Sequence, residues 1–380
     1  RDITIDANLP GLRIDTVAGD DVVNIIEHGQ ALVVSGSSSG LAEGTPLTVT
    51  INNVEYTTAV QADGSWSVGV TAAQVSAWPA GTINIAVSGE SSAGNPISIT
   101  HPVTVDLTPA AITINTIATD DVINGAEKGA DLTLSGTTTN VEAGQTVTVT
   151  FGGKNYTASV ASDGSWSATV PAADLALLTD GSASAQASVS NINGNSASAV
   201  HNYSVDSSAP TIIINTVASD NIVNASEADA GVTVSGSTTA EAGQIVTVTL
   251  NSPTVQTYQA TVQADGSWSI NIPAADLEAL TDGSHTLTAM VNDKAGNPAS
   301  TTHNLAVDLT VPVLTINTIA GDDIINAAEH GQALVISGSS TGGEAGDVVT
   351  VTLNSKTYTT TLDASGNWLS LIHISEPTRL

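Results

Sequence analysis

The chain of 380 residues is strongly acidic, with 37 Asp and Glu against 7 Lys and Arg and a formal net charge of −30. No basic patch is available to neutralise phosphates and no apolar run is long enough to span a membrane, so we expect no nucleic acid partner and no membrane insertion. The acidic surface makes a cation the more natural partner. Cysteine is absent, which excludes disulfides and thiolate metal sites.

An acidic segment with one pattern occurs four times along the chain. It reads GDDVVNIIEHG, TDDVINGAEKG, SDNIVNASEADA and GDDIINAAEHG, with two acidic or amide residues, then an Asn, then a Glu. Its asparagines are 100, 100 and 102 residues apart, and they are Asn24, Asn124, Asn224 and Asn326. A period near 100 residues predicts a repeat protein of three to four domains, each with a core of its own.

The repeats are divided at the Asp that closes each of them. The first residues, RDITID, match the repeat end HPVTVD at His101–Asp106, so we expect the chain to begin in the last strand of a preceding repeat. The last residues, LSLIHISEPTRL, resemble translated sequencing-adapter read-through and are set aside. The predicted parts are the end of a preceding repeat (1–6), repeat 1 (7–106), repeat 2 (107–206), repeat 3 (207–308), a truncated repeat 4 (309–368) and a non-native tail (369–380).

Repeat 2 serves as the template for the predicted elements, because its apolar residues alternate clearly. The alternation predicts strands A to D at Ile112 and Ile114, at Leu132 and Leu134, at Val147, Val149 and Phe151, and at Tyr156, Ala158 and Val160. A hairpin turn at Asp163-Gly164 leads to strand E at Trp166, Ala168 and Val170. A short helical crossing over Pro171–Gly181 and strands F (Ser182–Asn191) and G (Ser196–Asp206) complete the repeat.

Seven short strands in about 100 residues predict an all-β fold of tandem immunoglobulin-like β-sandwich domains. One tryptophan per repeat follows the strand register, which favours a core anchor over a ligand-binding platform; these are Trp66, Trp166, Trp268 and Trp368. Trp78 lies outside that register, which argues against repeated sugar sites.

Strand parity predicts where the acidic segment lies. As the AB loop it shares the lower end of the sandwich with the end of strand G, where the chain enters the next repeat. In repeat 2 the segment should therefore lie near Asp206 and face Glu241, Asp265, Asp293 and Asn297 of repeat 3. Short linkers containing Pro109, Pro210 and Pro312 favour an extended rod, on the order of 130 Å for four domains of ten-residue strands.

Carboxylates gathered at a junction repel each other by roughly 1 to 4 kcal/mol per close pair, which a bound cation would offset. Oxygen donors from Asp, Asn and Glu, without His or Cys in register, suit calcium. Solvated loop acids or caps are the simpler reading of one segment, but four occurrences at one spacing favour calcium. The candidate ligands are Asp20, Asp21, Asn24, Glu27, Asp106, Asp120, Asp121, Asn124, Glu127, Asp206, Asp220, Asn224, Glu227, Asp293, Asn297, Asp308, Asp322, Asp323 and Asn326.

These motifs resemble the bacterial Ig-like repeats of giant adhesins, including large biofilm-associated proteins of Gram-negative bacteria. The likeness rests on VDxxxP linkers, the DDxINxxE segment, EAGQxVTVT, DGSW, PAADL and the D-x-AGN turn, and covers Arg1–Trp368. It implies type I secretion, display at the cell surface and calcium ions that stiffen the junctions. Partners would be the neighbouring repeats of the chain, and a host or abiotic surface or matrix would be reached through regions outside this segment.

Some positions depart from the repeated pattern. Repeat 3 has Asn221 where the others have a second Asp, and we align Ser92 and Ile192 with Asp293 of repeat 3. On that alignment, an ion at the FG turn is expected in repeat 3 and doubtful in repeats 1 and 2.

The sequence contains only weak matches to enzyme motifs. Gly36–Gly40 and Gly338–Gly342 spell G-x-S-x-G, but we interpret these Ser-rich stretches as loops between strands, without the strand-to-helix turn of a nucleophile elbow. His101, His201 and His303 recur with the repeat, and we interpret them as solvated residues opening strand G.

The leading hypothesis is therefore a non-enzymatic adhesin stalk that calcium makes rigid. A carbohydrate- or surface-binding module and a non-catalytic spacer of a secreted hydrolase are the alternatives.

Overall fold

The structure is a computed structural model that describes residues 9–251 and 255–373. It divides into two compact units, Arg1–Ser208 with repeats 1 and 2 and Ala209–Leu380 with repeats 3 and 4, and each unit is described by itself. The prediction that residues 1–6 end a preceding repeat lies outside the described residues, and so does the tail after residue 373.

The first unit contains two repeats with the same element order. Repeat 1 consists of β1 (Gly11–Ile14), β2 (Val22–Val23), a 3-10 helix (Glu27–Gly29), β3 (Leu32–Ser39), β4 (Pro46–Ile51), β5 (Val54–Ala59), β6 (Ser65–Val70), α1 (Ala72–Val75), β7 (Gly81–Glu90) and β8 (Pro96–Val105). Repeat 2 consists of β9 (Ala111–Ile112), β10 (Val122–Ile123), a 3-10 helix (Glu127–Gly129), β11 (Leu132–Thr139), β12 (Thr146–Phe151), β13 (Lys154–Ser159), β14 (Ser165–Val170), α2 (Ala172–Leu175), β15 (Gly181–Ser190) and β16 (Ser196–Val205).

In the second unit, repeat 3 has this order, and repeat 4 has five strands within the described residues, with none in its acidic segment. Repeat 3 consists of β17 (Ile212–Ile214), β18 (Ile222–Asn224), α3 (Ala225–Ala230), β19 (Val232–Thr238), β20 (Ile245–Asn251), β21 (Gln256–Thr261), β22 (Ser267–Ile272), α4 (Ala274–Glu278), β23 (Gly283–Asn292) and β24 (Pro298–Asp308). Repeat 4 consists of β25 (Val313–Ile316), β26 (Ala333–Thr341), β27 (Val348–Leu353), β28 (Lys356–Thr361) and β29 (Asn367–His373).

Each of the first three repeats is a sandwich of a three-stranded and a five-stranded sheet. In repeat 2 the orders are β14-β11-β9 and β10-β16-β15-β12-β13, and repeats 1 and 3 have the same arrangement. Inward-facing Val, Ile, Leu and Ala of both sheets form a separate core in each repeat. The predicted all-β fold of tandem immunoglobulin-like sandwiches is confirmed, and α2 confirms the helical crossing within Pro171–Gly181.

A short strand that the residue pattern does not predict lies inside the acidic segment of repeat 2. β10 pairs in parallel with the end of β16, where Val122 is opposite Ser204 and Ile123 is opposite Val205. Two residues show no alternation, and their pairing partner is about 80 residues away, so local patterning could not reveal them. The acidic segment is therefore not one loop at the lower end, because a strand of the five-stranded sheet divides it.

The tryptophan of each repeat packs against a glycine of the neighbouring, hydrogen-bonded strand of the same sheet. Trp166 is 2% exposed, and a Cβ built on Gly136 would lie 2.7 Å from its Cζ2 atom. The same pair occurs as Trp66 with Gly36, Trp268 with Gly236 and Trp368 with Gly338. The prediction of a core anchor is confirmed, and Trp78 is also buried.

Gly36 corrects the interpretation of the G-x-S-x-G stretch. It lies within β3, opposite Trp66 of β6, and Gly338 lies within β26 in the same way. The serines of both stretches are thus mostly strand residues and not a loop. The alternation of apolar and polar residues is not visible in these stretches, because Ser and Gly occupy both faces of the strand.

Repeat 4 has β25-β26-β29 as one sheet and β27-β28 as the other. Within the described residues β27 pairs with β28 alone, which leaves its second edge open. The segment set aside from residue 369 onward begins inside β29, with Leu369 and Leu371 exposed and Ser370 buried. In β14 the corresponding exposed residues are Ser167 and Thr169 and the corresponding buried residue is Ala168, so the polarity is reversed at these three positions, whereas Trp368 and Ile372 stay in the core.

Candidate functional site

The first half of the acidic segment is a tight turn closed by its own carboxylates. Asp121 adopts the left-handed region at φ 65°, which Asp and Asn tolerate better than most residues, and its Oδ1 accepts the amide of Ile117 at 2.8 Å. Oδ1 of Asp120 accepts the amide of Val122 at 3.0 Å. The same bonds are made by Asp20 and Asp21, by Asp220 and Asn221, and by Asp322 and Asp323.

A histidine of the last strand binds this turn, which corrects the interpretation of the periodic histidines. His101 Nε2 lies 2.7 Å from Asp21 Oδ1, and His201 Nε2 lies 2.7 Å from Asp121 Oδ1. Both histidines lie in mid-strand and are partly buried, and do not open strand G as solvated residues. His303 makes the corresponding bond to Asn221. The partner could not be found from spacing, because it is about 80 residues away and is positioned by the missed strand.

These contacts lower the pKa of both carboxyl groups. Burial raises the pKa of Asp21, but the hydrogen bond from His101, the amide of Val17 and the His101 charge outweigh it. The pKa of Asp121 is lowered chiefly by the amide of Ile117 and then by His201. Both groups are therefore held in the ionised form.

The second half of the segment is a helix cap. Asn24 Oδ1 accepts the amides of Ile26 and Glu27 at 3.0 and 3.1 Å, and Glu27 Oε2 accepts the amide of Asn24 at 3.1 Å. This reciprocal arrangement is a capping box, and it explains the Asn-x-x-Glu spacing. It recurs at Asn124 with Glu127, Asn224 with Glu227, and Asn326 with Glu329.

The closing Asp of repeat 1 is where the next repeat makes contact. Asp106 Oδ2 accepts the side-chain amides of Asn193 at 2.8 Å and Asn195 at 3.2 Å. Asn195 Nδ2 also donates to the carbonyl of Asp106 at 3.1 Å, and its Oδ1 accepts the amide of Ile25 at 2.8 Å. Asn195 is 2% exposed. The hydrogen bond from Asn193 is the largest influence on the Asp106 carboxyl and lowers its pKa.

The FG turn of repeat 2 is held in shape by a second asparagine. Asn191 is 5% exposed, and its Oδ1 accepts the amides of Asn193 and Asn195 at 3.1 and 2.8 Å. Its backbone amide donates to the carbonyl of Asn195, as that of Asp293 does to Asn297. Asn191 therefore corresponds to Asp293.

This correspondence corrects the predicted alignment by one residue. Ser91 closes the equivalent turn of repeat 1 by donating its amide to the carbonyl of Asn95. The counterparts of Asp293 are therefore Asn191 and Ser91, not Ile192 and Ser92. The glycines Gly94, Gly194 and Gly296, each three residues after the turn-closing residue, are consistent with this alignment.

In the second unit, a groove of about 610 Å³ lies where repeat 3 meets repeat 4. Asp308 closes repeat 3 there, and Asn224 with its neighbours forms one wall. Four of the residues around the groove are acidic: Asp229, Asp308, Glu344 and Asp347. Asp293 and Asn297 bind each other within their own turn, at 2.8 Å from the Asn297 amide and 2.9 Å from its side chain.

The structure thus separates the predicted ligands into two groups. The first two carboxylates of each segment are engaged by their own turn, and in repeats 1 and 2 the second of them is engaged by a histidine as well. They lie about 7 Å along the sheet from the capping box, at two residues of about 3.3 Å each. The capping Asn and the closing Asp meet the next repeat, as Asn24 and Asp106 show. Asp206 accepts the amide of Ser208 at 3.3 Å within its linker.

The chemistry of the junction donors fits calcium without forming a carboxylate cage. Around Asp106 the donors are one carboxylate, side-chain amides that carry an oxygen, and backbone carbonyls, all of which are hard oxygen ligands. Among residues 9–251 and 255–373, no group of three or more His, Asp or Glu side chains is placed to hold an ion. In the described part of the chain, no helix has the length and apolarity that a membrane crossing requires.

Sequence reasoning missed Asn191, Asn193 and Asn195 as junction residues. Their signal was the N-I-N-G-N string, in which an Asn precedes another by four residues as Asp293 precedes Asn297. That spacing is typical of a side chain that closes its own turn. The five tryptophans are all buried, so they provide no exposed aromatic platform.

One family model and several solved structures are similar to this chain. The family model described as a bacterial Ig-like domain matches residues 209–309. A Ca²⁺-stabilized adhesin that helps an Antarctic bacterium reach out and bind ice is 36% identical over 97% of this chain and 92% of its own, with a TM-score of 0.42. No curated protein sequence matches.

Two further solved structures are similar to this chain. A solved chain from a 1.5-MDa bacterial ice-binding adhesin is 34% identical over 79% of this chain and 98% of that solved chain, with a TM-score of 0.41. An immunoglobulin-like domain of the M. primoryensis ice-binding adhesin is 35% identical over 26% of this chain and 99% of its own, with a TM-score of 0.23.

Proposed function

Because this chain belongs to the bacterial Ig-like repeats of large adhesins, we propose that it is a stalk segment of a bacterial cell-surface adhesin. Its repeats would form an extended rod, and calcium at the junctions would make that rod rigid. Export by a type I secretion system and a contribution to biofilm formation belong to the same proposal. The bacterial Ig-like match and the adhesins that are 34% to 36% identical support it.

The observation that carries this proposal is the contact of Asp106 with the FG turn of repeat 2. A stalk stays stiff and extended only when consecutive domains are fixed to each other, and this carboxylate accepts hydrogen bonds from both Asn193 and Asn195 across the boundary. The junction is formed by polar and acidic side chains instead of apolar ones. Its strength therefore depends on which groups or ions balance its negative charge.

The proposed calcium ligands are the groups that meet at each boundary. In the first unit they are Asn24, Asp106 and the amide oxygens of Asn193 and Asn195. In the second unit they are Asn224, Asp308 and the acidic side chains that line the groove, Glu344 among them. A bound calcium ion would balance the charge of Asp106 in the first unit and would relieve repulsion between the acidic side chains around the groove in the second. Asp21 and Asp121 are left out because histidine already binds them.

Paired spin labels would test the junction directly. The chain lacks cysteine, so Thr57→Cys and Thr157→Cys place one label on each repeat of the first unit, at equivalent exposed positions. We expect calcium to narrow the distribution of label distances. Asp106→Asn keeps a hydrogen-bond acceptor and removes the charge, so it should abolish the calcium response.

Asp163→Ala is the matched control for that experiment. Asp163 is an exposed carboxylate of repeat 2 that binds only Ser165 of its own hairpin among the described contacts, and its loss should leave the response intact. A distance distribution that ignores calcium in the unsubstituted junction would contradict the proposal, and so would an unchanged response in Asp106→Asn.

A further inference from the structure

The junction of the first unit contains an Asn-Gly dipeptide at its point of contact. Asn193 donates its side-chain amide to Asp106 Oδ2 at 2.8 Å, and Gly194 follows at φ 83°. Asn followed by Gly cyclises readily, because no side chain shields the glycine nitrogen, and Asn is a thermolabile residue for this reason. The equivalent positions of repeats 1 and 3 are Ala93 and Ala295, so this dipeptide is a particular feature of repeat 2.

We propose that Asn193 is a deamidation site whose reactivity is controlled by the junction. The nitrogen of Gly194 attacks Cγ of Asn193 to form a succinimide, and the side-chain nitrogen leaves as ammonia with the proton lost from Gly194. One water then opens the ring at either carbonyl, which gives Asp or isoAsp. The balance is one water consumed and one ammonia released, and no oxidant or cofactor is required.

The closed junction restrains each reacting group. The amide of Asn193 is bound to Asp106, and the amide of Gly194 donates to the carbonyl of Asn191 at 3.1 Å. Space around Gly194 is also limited, since a Cβ there would lie 3.0 Å from Nδ2 of Asn24 in the preceding repeat. Cyclisation needs Cγ of Asn193 to turn toward the next nitrogen, which breaks the bond to Asp106. The reaction therefore proceeds when the two repeats separate.

Deamidation of Asn193 changes the charges that meet at the junction. An amide that donates to Asp106 becomes a carboxylate that faces it, and two carboxylates at this distance repel. After deamidation, the two repeats come together only when a cation lies between the carboxylates at positions 106 and 193. Deamidation thus removes a direct hydrogen bond across the boundary and makes its closure depend more strongly on calcium than in the unmodified chain. This consequence rests on the proposed function, whereas the reaction itself does not.

Peptide mapping by mass spectrometry of the full chain tests the reaction. The rate of amide-to-acid conversion at Asn193 is followed in the unsubstituted chain and in Asp106→Ala, with Asn124-Gly125 as the internal reference. Asn124 Oδ1 is held by the amides of Ala126 and Glu127, which Asp106→Ala does not touch. We expect conversion at Asn193 to accelerate about tenfold, because the bonds that close the junction are lost.

Two results would overturn the inference. One is equal conversion of Asn193 in both proteins, and the other is equal acceleration at Asn124, which would indicate general unfolding. Circular dichroism of Asp106→Ala confirms that the repeats stay folded, and Asp106→Asn should give a smaller acceleration.

Asn193→Asp, with spin labels at positions 57 and 157, tests the consequence. Without calcium the distances should spread more widely than in the parent, and calcium should restore them. An unchanged distribution without calcium would contradict the inferred consequence. If the parent junction ignores calcium while Asn193 converts as expected, the proposed function fails and the modification site stands.

Discussion

His201 Nε2 lies 2.7 Å from Asp121 Oδ1 and thereby joins the middle of β16 to the turn before β10. The bond fixes the point at which the chain leaves one sheet and enters the other. His101 and Asp21 make the same contact in repeat 1, whereas His303 meets the neutral Asn221 in repeat 3. Two repeats therefore contain a histidine–carboxylate pair, whereas in the third the histidine contacts a neutral amide.

This difference predicts a different response of the repeats to acid. The pKa of Asp121 is lowered in the folded chain, so its contribution to stability is present above the unfolded pKa and is lost as the pH falls through the folded pKa. We expect hydrogen exchange in segment 115–124, corrected for the intrinsic pH dependence, to accelerate as the pH falls below about 4, the ordinary pKa of an Asp side chain. Segment 215–224 of repeat 3 is the internal control and should change less.

Asp121→Asn makes repeat 2 resemble repeat 3 at this position. His201 keeps an acceptor, so exchange at neutral pH should be nearly unchanged, and the acid-induced acceleration in segment 115–124 should decrease. Equal acid sensitivity in the variant and the parent would show that the pair contributes no pH dependence.

Gly136 provides a packing prediction. A Cβ there would lie 1.9 Å from the carbonyl oxygen of Thr113 and 2.7 Å from Cζ2 of Trp166, so the backbone and the core would both have to move. We expect Gly136→Ala to destabilise repeat 2 at the upper end of about 1–3 kcal/mol in urea unfolding.

Gly129→Ala is its matched control. Gly129 is not in the left-handed region, and no atom lies within 4 Å of its added Cβ. The free energy of unfolding should change by less than about 0.5 kcal/mol. A comparable loss in both variants would contradict the role of the Gly136–Trp166 contact.

Glu27 separates the capping function from ion binding. Its Oε2 accepts the amide of Asn24, a role that Gln also fills in a capping box. Glu27→Gln should therefore keep the thermal stability of repeat 1, whereas Glu27→Ala should lower its stability by about 1 kcal/mol. The calcium-induced rise in melting temperature should survive Glu27→Gln, because the proposed ligands do not include Glu27. Loss of that rise would identify Glu27 as a ligand.

Local signals in the sequence predicted the sandwich well. Asp163-Gly164 marks a hairpin and Trp166 marks the core, because both act through neighbours close in the chain or through alternation along one strand. Val122 and Ile123 were missed because a two-residue strand depends on its distant partner, β16. His201 was misread for the same reason.

The sequence predicted which residue types occur at the candidate site but not how those residues are arranged in space. The Asn-x-x-Glu spacing was interpreted as part of a calcium site, whereas in the structure it forms a helix cap. The carboxylates of Asp120 and Asp121 accept backbone amides of their own turn. Asp106 was placed at the boundary correctly. Its partners Asn193 and Asn195 belong to the next repeat, and only the fold brings them together.

Small-angle X-ray scattering of the intact chain, with calcium and with a chelator, tests the central claim most directly. Calcium that rigidifies the junctions should lengthen the maximum dimension of the particle toward that of an extended rod, on the order of 130 Å from ten-residue strands rising about 3.3 Å per residue. Chelation should shorten and broaden the distance distribution. An identical maximum dimension in both conditions would contradict the account of a calcium-stiffened stalk.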